Sequence, residues 1–241
     1  MTTKSPLYVW YASFGSNLCR ERFLCYIQGG TLEAIDRHFE GANDRTPPKA
    51  SIGLTAPHRM FFARESSWWK GGVGFIDPQR DAAYGRGQAV LDTINVNQEE
   101  SDELNTQCEN VVASTQHDIS VSFLRAYLIT LEQYNDVVRQ ENKGKAMPLT
   151  EADLQRLIDE GPGSTIKVSS NWYGNLLHIG DIPYQGLAYP VLTFTCHPEN
   201  VKKFLNPPST SYKDMITRGL QECHWKEDEA RCYIEERAAT H

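Results

Sequence analysis

The strongest constraint on the fold is the segment at residues 11–18, which reads Tyr-Ala-Ser-Phe-Gly-Ser-Asn-Leu. Residues 7–13 are rich in aromatic and β-branched side chains and predict a strand. From Asn17 onward the apolar residues recur at helical spacing. Gly15 permits a close approach of the backbone to another group, and Ser16 and Asn17 both favour turns and helix N-caps. The sequence therefore predicts a strand, a glycine turn and a helix in direct succession.

A turn of this kind is able to bind an anion. The first N–H groups of a helix lack internal partners and lie at the positive end of its dipole. They can hold a carboxylate or a phosphate. The alternative is an ordinary strand–turn–helix corner, because Gly-Ser-Asn turns are common.

Glu141 is the second feature, at the end of a helix predicted for residues 131–141 and opened by a capping box with Thr130 as N-cap. It continues the apolar face of that helix, whereas Glu132 and Asp136 fall on other faces and are expected to be solvated. Partial burial and the negative helix end both favour uptake of a proton by Glu141, which suits a general base. The alternative is an ion pair with an arginine or lysine at the helix end.

A third feature is Pro207-Pro-Ser-Thr-Ser-Tyr212. The prolines end the preceding segment, and Ser209 or Ser211 can cap a new helix. Tyr212 falls on the inner face of this helix. It is either a core aromatic residue with a satisfied hydroxyl or a ligand contact.

Composition narrows the class of partner. The chain has 241 residues and a formal net charge of -7, which disfavours nucleic acid and anionic membranes as partners. Six scattered cysteines without C-x-x-C pairs indicate reduced thiols in the cytoplasm. No segment approaches the ~18 apolar residues of a membrane span. Seven isolated histidines predict no metal site.

Strands and helices are interspersed along the chain, which predicts a mixed α+β fold with a twisted or partly closed sheet. Two regions are expected to be irregular: residues 31–58 as a long loop with one short helix, and residues 95–120 as an acidic insertion or loop. The predicted strands are residues 59–63, 72–76, 87–91, 123–129, 167–170, 175–179 and 189–194. The further predicted helices are residues 151–159, 209–221 and 226–236.

The three features, in this order, resemble the γ-glutamyl cyclotransferase superfamily. Its first hallmark is a Tyr-Gly-Ser-Asn-Leu-type loop after the first strand. Its second is a segment like Ala126-Tyr-Leu-Ile-Thr130 that leads into a helix ending in a catalytic Glu, and its third is a Pro-Pro-Ser-x-x-Tyr segment. This sequence departs from the pattern at Phe14, where the family usually has Tyr, and at Asn142, where many members have Gly. Both departures bear on the substrate more than on the fold.

The resemblance implies a compact mixed β-barrel flanked by helices, without a metal or an organic cofactor. It implies one domain over residues 1–241, with insertions near residues 31–85 and 95–120. The roles that it implies are γ-glutamyl binding by Gly15, Ser16, Asn17 and Leu18, acid/base catalysis by Glu141, and pocket lining by Tyr11 and Tyr212.

The implied reaction is cyclisation of a γ-glutamyl amide, which releases 5-oxoproline and a free amine or amino acid. The expected partner is thus a small γ-glutamyl molecule, and a homodimer is compatible with the sequence. Two alternatives stay open: an amide hydrolase that uses water in the same pocket, and a binding protein that keeps the pocket without the chemistry.

Overall fold

The computed structural model describes residues 5–84, 90, 92–97, 102–116, 118–201 and 203–239. The strands in the described residues are β1 (Tyr8–Ser13), β2 (Gly30–Leu32), β3 (Arg37–Phe39), β4 (Ser51–Ala56), β5 (Met60–Ser66), β6 (Gly71–Ile76), β7 (Thr93–Ile94), β8 (Ser122–Thr130), β9 (Thr165–Lys167), β10 (Asn175–Tyr184) and β11 (Leu187–Thr195). The α-helices are α1 (Arg20–Gln28), α2 (Asp102–Gln116), α3 (Leu131–Glu141), α4 (Glu151–Glu160), α5 (Thr210–Gln221) and α6 (Glu227–Ala238).

Seven of these strands form one mixed sheet in the order β7-β4-β8-β1-β11-β10-β9. The mixed α+β class is confirmed. The barrel is not, because the described strands leave the sheet open. Its edge strands β7 and β9 have two and three residues and each pairs with one neighbour. The hairpins β2–β3 and β5–β6 pair separately from this sheet.

The centre of the sheet positions the functional segment. β1 runs parallel to β11 and antiparallel to β8, and every residue of β8 is buried. A strand covered on both faces reads as a nearly continuous apolar run rather than an alternating one. Because β1 pairs with a strand on each side, the backbone position at which the turn after Ser13 begins is well defined.

Both regions that were expected to be irregular contain regular structure. Residues 31–58 contribute β3 and β4 and part of β2. Residues 95–120 contain α2, whose buried Cys108, Val111 and Val112 recur at helical spacing. This short apolar stripe was not recognised in the sequence because most of the surrounding residues are acidic or polar. The predicted strand at residues 87–91 lies outside the described residues, apart from residue 90.

The predicted starts of α3 and α5 are confirmed, whereas the exposure predicted for one residue of α3 is wrong. Thr130 and Gln133 form the capping box of α3, and Ser209 caps α5 by accepting the amide of Tyr212. Asp136 is buried rather than solvated, because its carboxylate accepts the backbone amide of Asn43 at 2.8 Å. No helix among the described residues is both long enough and apolar enough to cross a lipid bilayer.

Candidate active site

The glycine turn after β1 differs in detail from the prediction. Ser16–Leu18 forms one turn of 3-10 helix, and α1 begins only at Arg20. The side chains of Ser16 and Asn17 therefore do not cap α1. Gly15 has a φ of -115°, so its role is close approach rather than a left-handed conformation. A Cβ on Gly15 would lie 2.6 Å from the hydroxyl of Tyr212.

Two side chains of β8 donate hydrogen bonds to backbone carbonyls of the turn. The Tyr127 hydroxyl donates to the carbonyl of Asn17 at 3.0 Å, and Arg125 donates to the carbonyl of Leu18 at 3.0 Å. Leu18 is fully buried, and α5 packs directly on it at Gly219, where a Cβ would lie 2.4 Å from the Leu18 carbonyl carbon. The turn is thus clamped between the sheet and α5.

The N-terminus of α1 already holds a carboxylate from the same chain. Glu222 accepts the Arg20 amide at 2.9 Å, and the Arg125 guanidinium donates to the same oxygen at 2.6 Å. The predicted anion site at the helix start is therefore occupied internally by a residue that follows α5. A ligand of the turn would therefore bind to the groups of Gly15–Asn17 and not to the start of α1.

That side of the turn forms part of a small recess of about 30 Å³. The turn, β1, α3 and α5 all contribute to its walls. Its lining includes six of the seven residues predicted from the sequence: Tyr11, Gly15, Ser16, Asn17, Glu141 and Tyr212. Leu18 is the exception, because its side chain lies in the core. The volume is close to that of one water molecule, so the recess admits one small polar group.

Glu141 is half-buried at the edge of this recess. The side-chain amide of Asn17 donates to its Oε1 at 3.5 Å. Glu141 also interacts with Tyr26, whose hydroxyl accepts a hydrogen bond from Arg22 at 2.7 Å. Burial raises the pKa of the Tyr26 hydroxyl, Arg22 lowers it and the Glu141 carboxylate raises it. A buried arginine, a tyrosine and a carboxylate therefore form one connected network.

Sequence reasoning did not assign a role to Arg22 or Tyr26. The sequence does contain an indication of such a role, because Arg22 falls on the apolar face of a short helix and arginines are rarely buried without a partner. Arg22 is 3% exposed, and its Nε and Nη1 make no hydrogen bond within the described residues. The same holds for Oδ1 of Asn17. Buried polar atoms are usually paired, whereas the described residues supply no partner for these atoms.

The hydroxyls of Tyr11 and Tyr212 both accept a hydrogen bond from the protein. Tyr11 accepts from the side chain of Asn17 at 3.0 Å, and Tyr212 accepts from the amide of Gly74 at 3.1 Å. Burial is the largest effect on each pKa and raises both, so both hydroxyls stay protonated at neutral pH. In the part of the chain that the structure describes, neither proton is donated to another residue. Both hydroxyls can donate to a ligand oxygen.

A second cavity of about 580 Å³ adjoins the recess. The two share the lining residues Ser16, Glu141, Tyr173 and Tyr212. Glu141 therefore borders both the small recess and the larger outer cavity.

No group of three or more His, Cys, Asp or Glu side chains that could hold a metal ion occurs among the described residues. The polar groups at the site are the carboxylate of Glu141, hydroxyls, amides and arginine. This set can bind a zwitterion and transfer protons.

Comparison with known proteins finds likenesses to a curated protein and to solved structures, whereas no family model matches the chain. A curated protein from Arabidopsis thaliana named "Histone deacetylase 5" is 35% identical over 240 residues, which are 94% of this chain and 30% of that protein. The chain thus spans under a third of the length of this relative.

Two solved structures align with most of the chain. A structure titled "Gamma-glutamyl cyclotransferase" has a TM-score of 0.40 at 14% identity and covers 96% of this chain and 87% of its own. A γ-glutamyl cyclotransferase from yeast, described as specific to glutathione, has a TM-score of 0.32 at 11% identity and covers 98% and 99%. Both titles name the family that the motifs resemble. At these TM-scores neither likeness carries a functional argument.

Proposed function

We propose that this chain is a γ-glutamyl cyclotransferase that uses Glu141 as its acid/base. The observation that carries the proposal is the position of Glu141. Its carboxylate lies at the border of a recess whose other polar groups suit a zwitterion, namely tyrosine hydroxyls and the unpaired Oδ1 of Asn17. The larger cavity on the other side of Glu141 has room for a leaving amine.

The substrate would fit in two parts. The recess admits one small polar group, and its walls carry the Tyr11 and Tyr212 hydroxyl protons together with the backbone of Gly15 and Ser16. The α-carboxylate of a γ-glutamyl group is an anion of this size. The α-ammonium would then lie near Oδ1 of Asn17 and the Glu141 carboxylate, and the amide would extend into the outer cavity.

The reaction needs only proton transfer and positioning. Glu141 takes a proton from the α-ammonium, and the freed amine attacks the γ-carbonyl carbon to close a five-membered ring. Glu141 returns this proton to the amide nitrogen, and the bond from the carbon to that nitrogen breaks. The second proton of the attacking nitrogen then passes through Glu141 to the departing amine, which leaves as an ammonium ion. The products are 5-oxoproline and a free amine, and no water is consumed. An intramolecular attack held in this geometry lowers the barrier by about 7–11 kcal/mol.

The test is release of 5-oxoproline from γ-glutamyl amides by the purified protein and by Glu141→Gln. Loss of a positioned acid/base typically costs about 10²–10⁴-fold in rate, so we expect a loss of that size in kcat. Glu132→Gln is the matched control, because Glu132 is an exposed carboxylate on the same helix. Near-normal turnover by Glu141→Gln would refute its role as the base.

The other candidate activities give different products. Release of free glutamate in place of 5-oxoproline would indicate the amide hydrolase. Binding of γ-glutamyl compounds without any product would indicate a binding protein. The name of the Arabidopsis relative calls for one further assay, release of acetate from acetyl-lysine peptides, and activity there would contradict the cyclotransferase proposal.

A further inference from the structure

The outer cavity combines open aromatic surfaces with positive charge. Three tryptophans line it, and two of them are unusually exposed: Trp68 at 46% and Trp172 at 40%. Large aromatic side chains are mostly buried in folded proteins, so two half-open indoles at one cavity indicate a surface that another group covers. Trp69 is buried and packs against Tyr212, which fixes the wall between the cavity and the recess.

The charged residues of this cavity are unbalanced. Three cations line it, Arg22, Arg37 and Lys143, whereas Glu141 is its single acidic residue. The guanidinium of Arg37 lies over the ring of Trp68, 5.1 Å from the ring centroid. No ion pair of Arg37 occurs among the described residues.

Arg22 adds the observation that points to a ligand. It is almost fully buried, yet its Nε and Nη1 make no hydrogen bond within the described part of the chain. Its Nη2 donates to the Tyr26 hydroxyl, and its Cζ lies 4.3 Å from the centroid of the Tyr26 ring and 4.5 Å from that of Phe39, so these contacts hold the guanidinium in place. An oriented arginine with unused N–H groups is suited to a carboxylate.

We infer that the outer cavity selects leaving groups that carry both an aromatic ring and a carboxylate. The inference rests on the proposed function, because it names the amine that the cyclotransferase releases. The ring packs against the exposed surfaces of Trp68 and Trp172 that the protein leaves uncovered, and the carboxylate meets Arg22 and Arg37. Amines that lack the ring or the carboxylate lose one of these two contacts, and cationic amines meet like charge.

Three substrates separate the two contacts on the unaltered protein. They are γ-glutamylphenylalanine, γ-glutamylphenethylamine, which lacks only the carboxylate, and γ-glutamylalanine, which lacks only the ring. We expect kcat/KM to be about tenfold higher for the first than for either of the others, since one good contact in a pocket commonly changes selectivity by this factor or more. Equal kcat/KM values across the three would overturn the inference and leave the proposed function intact.

Two variants assign the contacts to residues. Arg37→Gln should lower kcat/KM for γ-glutamylphenylalanine towards that of the phenethylamine compound, because Arg22 alone remains for the carboxylate. Trp172→Ala should lower it towards that of the alanine compound, because Trp68 alone remains for the ring. Both side chains are partly exposed, so folding is expected to survive. Arg156→Gln is the control, because Arg156 is an exposed arginine on α4 outside the cavity. Loss of all three activities in parallel would argue against a selective role.

A binding measurement keeps the inference separate from the chemistry. If no γ-glutamyl compound yields 5-oxoproline, the proposed function fails, and calorimetric titration with N-acetyl-L-phenylalanine and N-acetyl-L-alanine still tests the cavity. Tighter binding of the first, weakened by Arg37→Gln, would support an aromatic carboxylate subsite. Absence of any difference between the two compounds would overturn it.

Discussion

The pairing of Arg125 with Glu222 allows a stability prediction that is independent of the proposed activity. Both side chains hold the turn after β1: Arg125 donates to the Leu18 carbonyl, and Glu222 accepts the Arg20 amide. The two charges meet at 2.6 Å, with side-chain exposures of 4% for Arg125 and 28% for Glu222. Removal of Glu222 therefore leaves a buried guanidinium without its counter-charge.

The magnitude follows from this burial. Breaking a fully buried ion pair by removal of one partner costs about 3–5 kcal/mol, whereas exposed pairs contribute about 0–1 kcal/mol. Because Glu222 is partly open to solvent, we expect about 2 kcal/mol from the lost pair. Loss of the acceptor for the Arg20 amide adds about 1 kcal/mol. Glu222→Ala should thus lower the free energy of unfolding by about 3 kcal/mol.

The assay is urea-induced equilibrium unfolding followed by tryptophan fluorescence and far-UV circular dichroism. Glu235→Ala is a matched control, because the Glu235 carboxylate pairs with Lys213 at 2.7 Å while 62% exposed. The two pairs have nearly equal distances and differ in burial. We expect the control to lose less than about 1 kcal/mol. Equal losses in the two variants, or a loss below about 1 kcal/mol for Glu222→Ala, would refute the argument that burial sets the effect.

Two further predictions concern pH and the turn. Burial lowers the pKa of His58 from 6.5 to about 4, so the unfolded state takes up the proton first and stability falls as pH falls from about 6.5 towards 4. Between pH 7.5 and pH 5 this amounts to about 2 kcal/mol, and His58→Gln should reduce the measured pH dependence by that amount; an unchanged dependence would contradict the assignment. Gly15→Ala should lower kcat/KM by about 10²-fold, because its Cβ would displace the Tyr212 hydroxyl from a distance of 2.6 Å and small misplacements at a site have effects of this size. Activity within threefold of the unaltered protein would show that the close contact is not needed.

Local signals in the sequence predicted the elements that carry the site. The N-caps at Thr130 and Ser209 depend on residues within one helical turn, and both are found in the structure. The strand before the turn is likewise a local pattern. These features could be predicted because each is stabilised by neighbours in the chain, and the glycine, Glu141 and Tyr212 were identified relative to them.

Pairings between distant residues could not be predicted in this way. Glu222 follows α5 and fills the helix start that the sequence assigned to a ligand, 202 positions away from Arg20. Nothing near Glu222 in the sequence distinguishes it from other surface carboxylates. The burial of Asp136 has the same origin, because its acceptor role depends on Asn43, 93 positions away. Periodicity places a residue on a face of its helix, but the partner that faces it comes from the tertiary structure.

The internal carboxylate at the start of α1 also restricts where a substrate would bind. Glu222 occupies the helix start, whereas the cations Arg22, Arg37 and Lys143 line the outer cavity. Glu141 borders both this cavity and the recess, is half-buried, and interacts with Asn17 and Tyr26. In the proposed cyclisation, the α-amine nitrogen gives up a proton and forms a bond to the γ-carbonyl carbon. The amide nitrogen is released from that same carbon and receives a proton. A carboxylate at the boundary of the two cavities would suit both proton transfers, so the position of Glu141, more than any single contact, supports the proposed reaction.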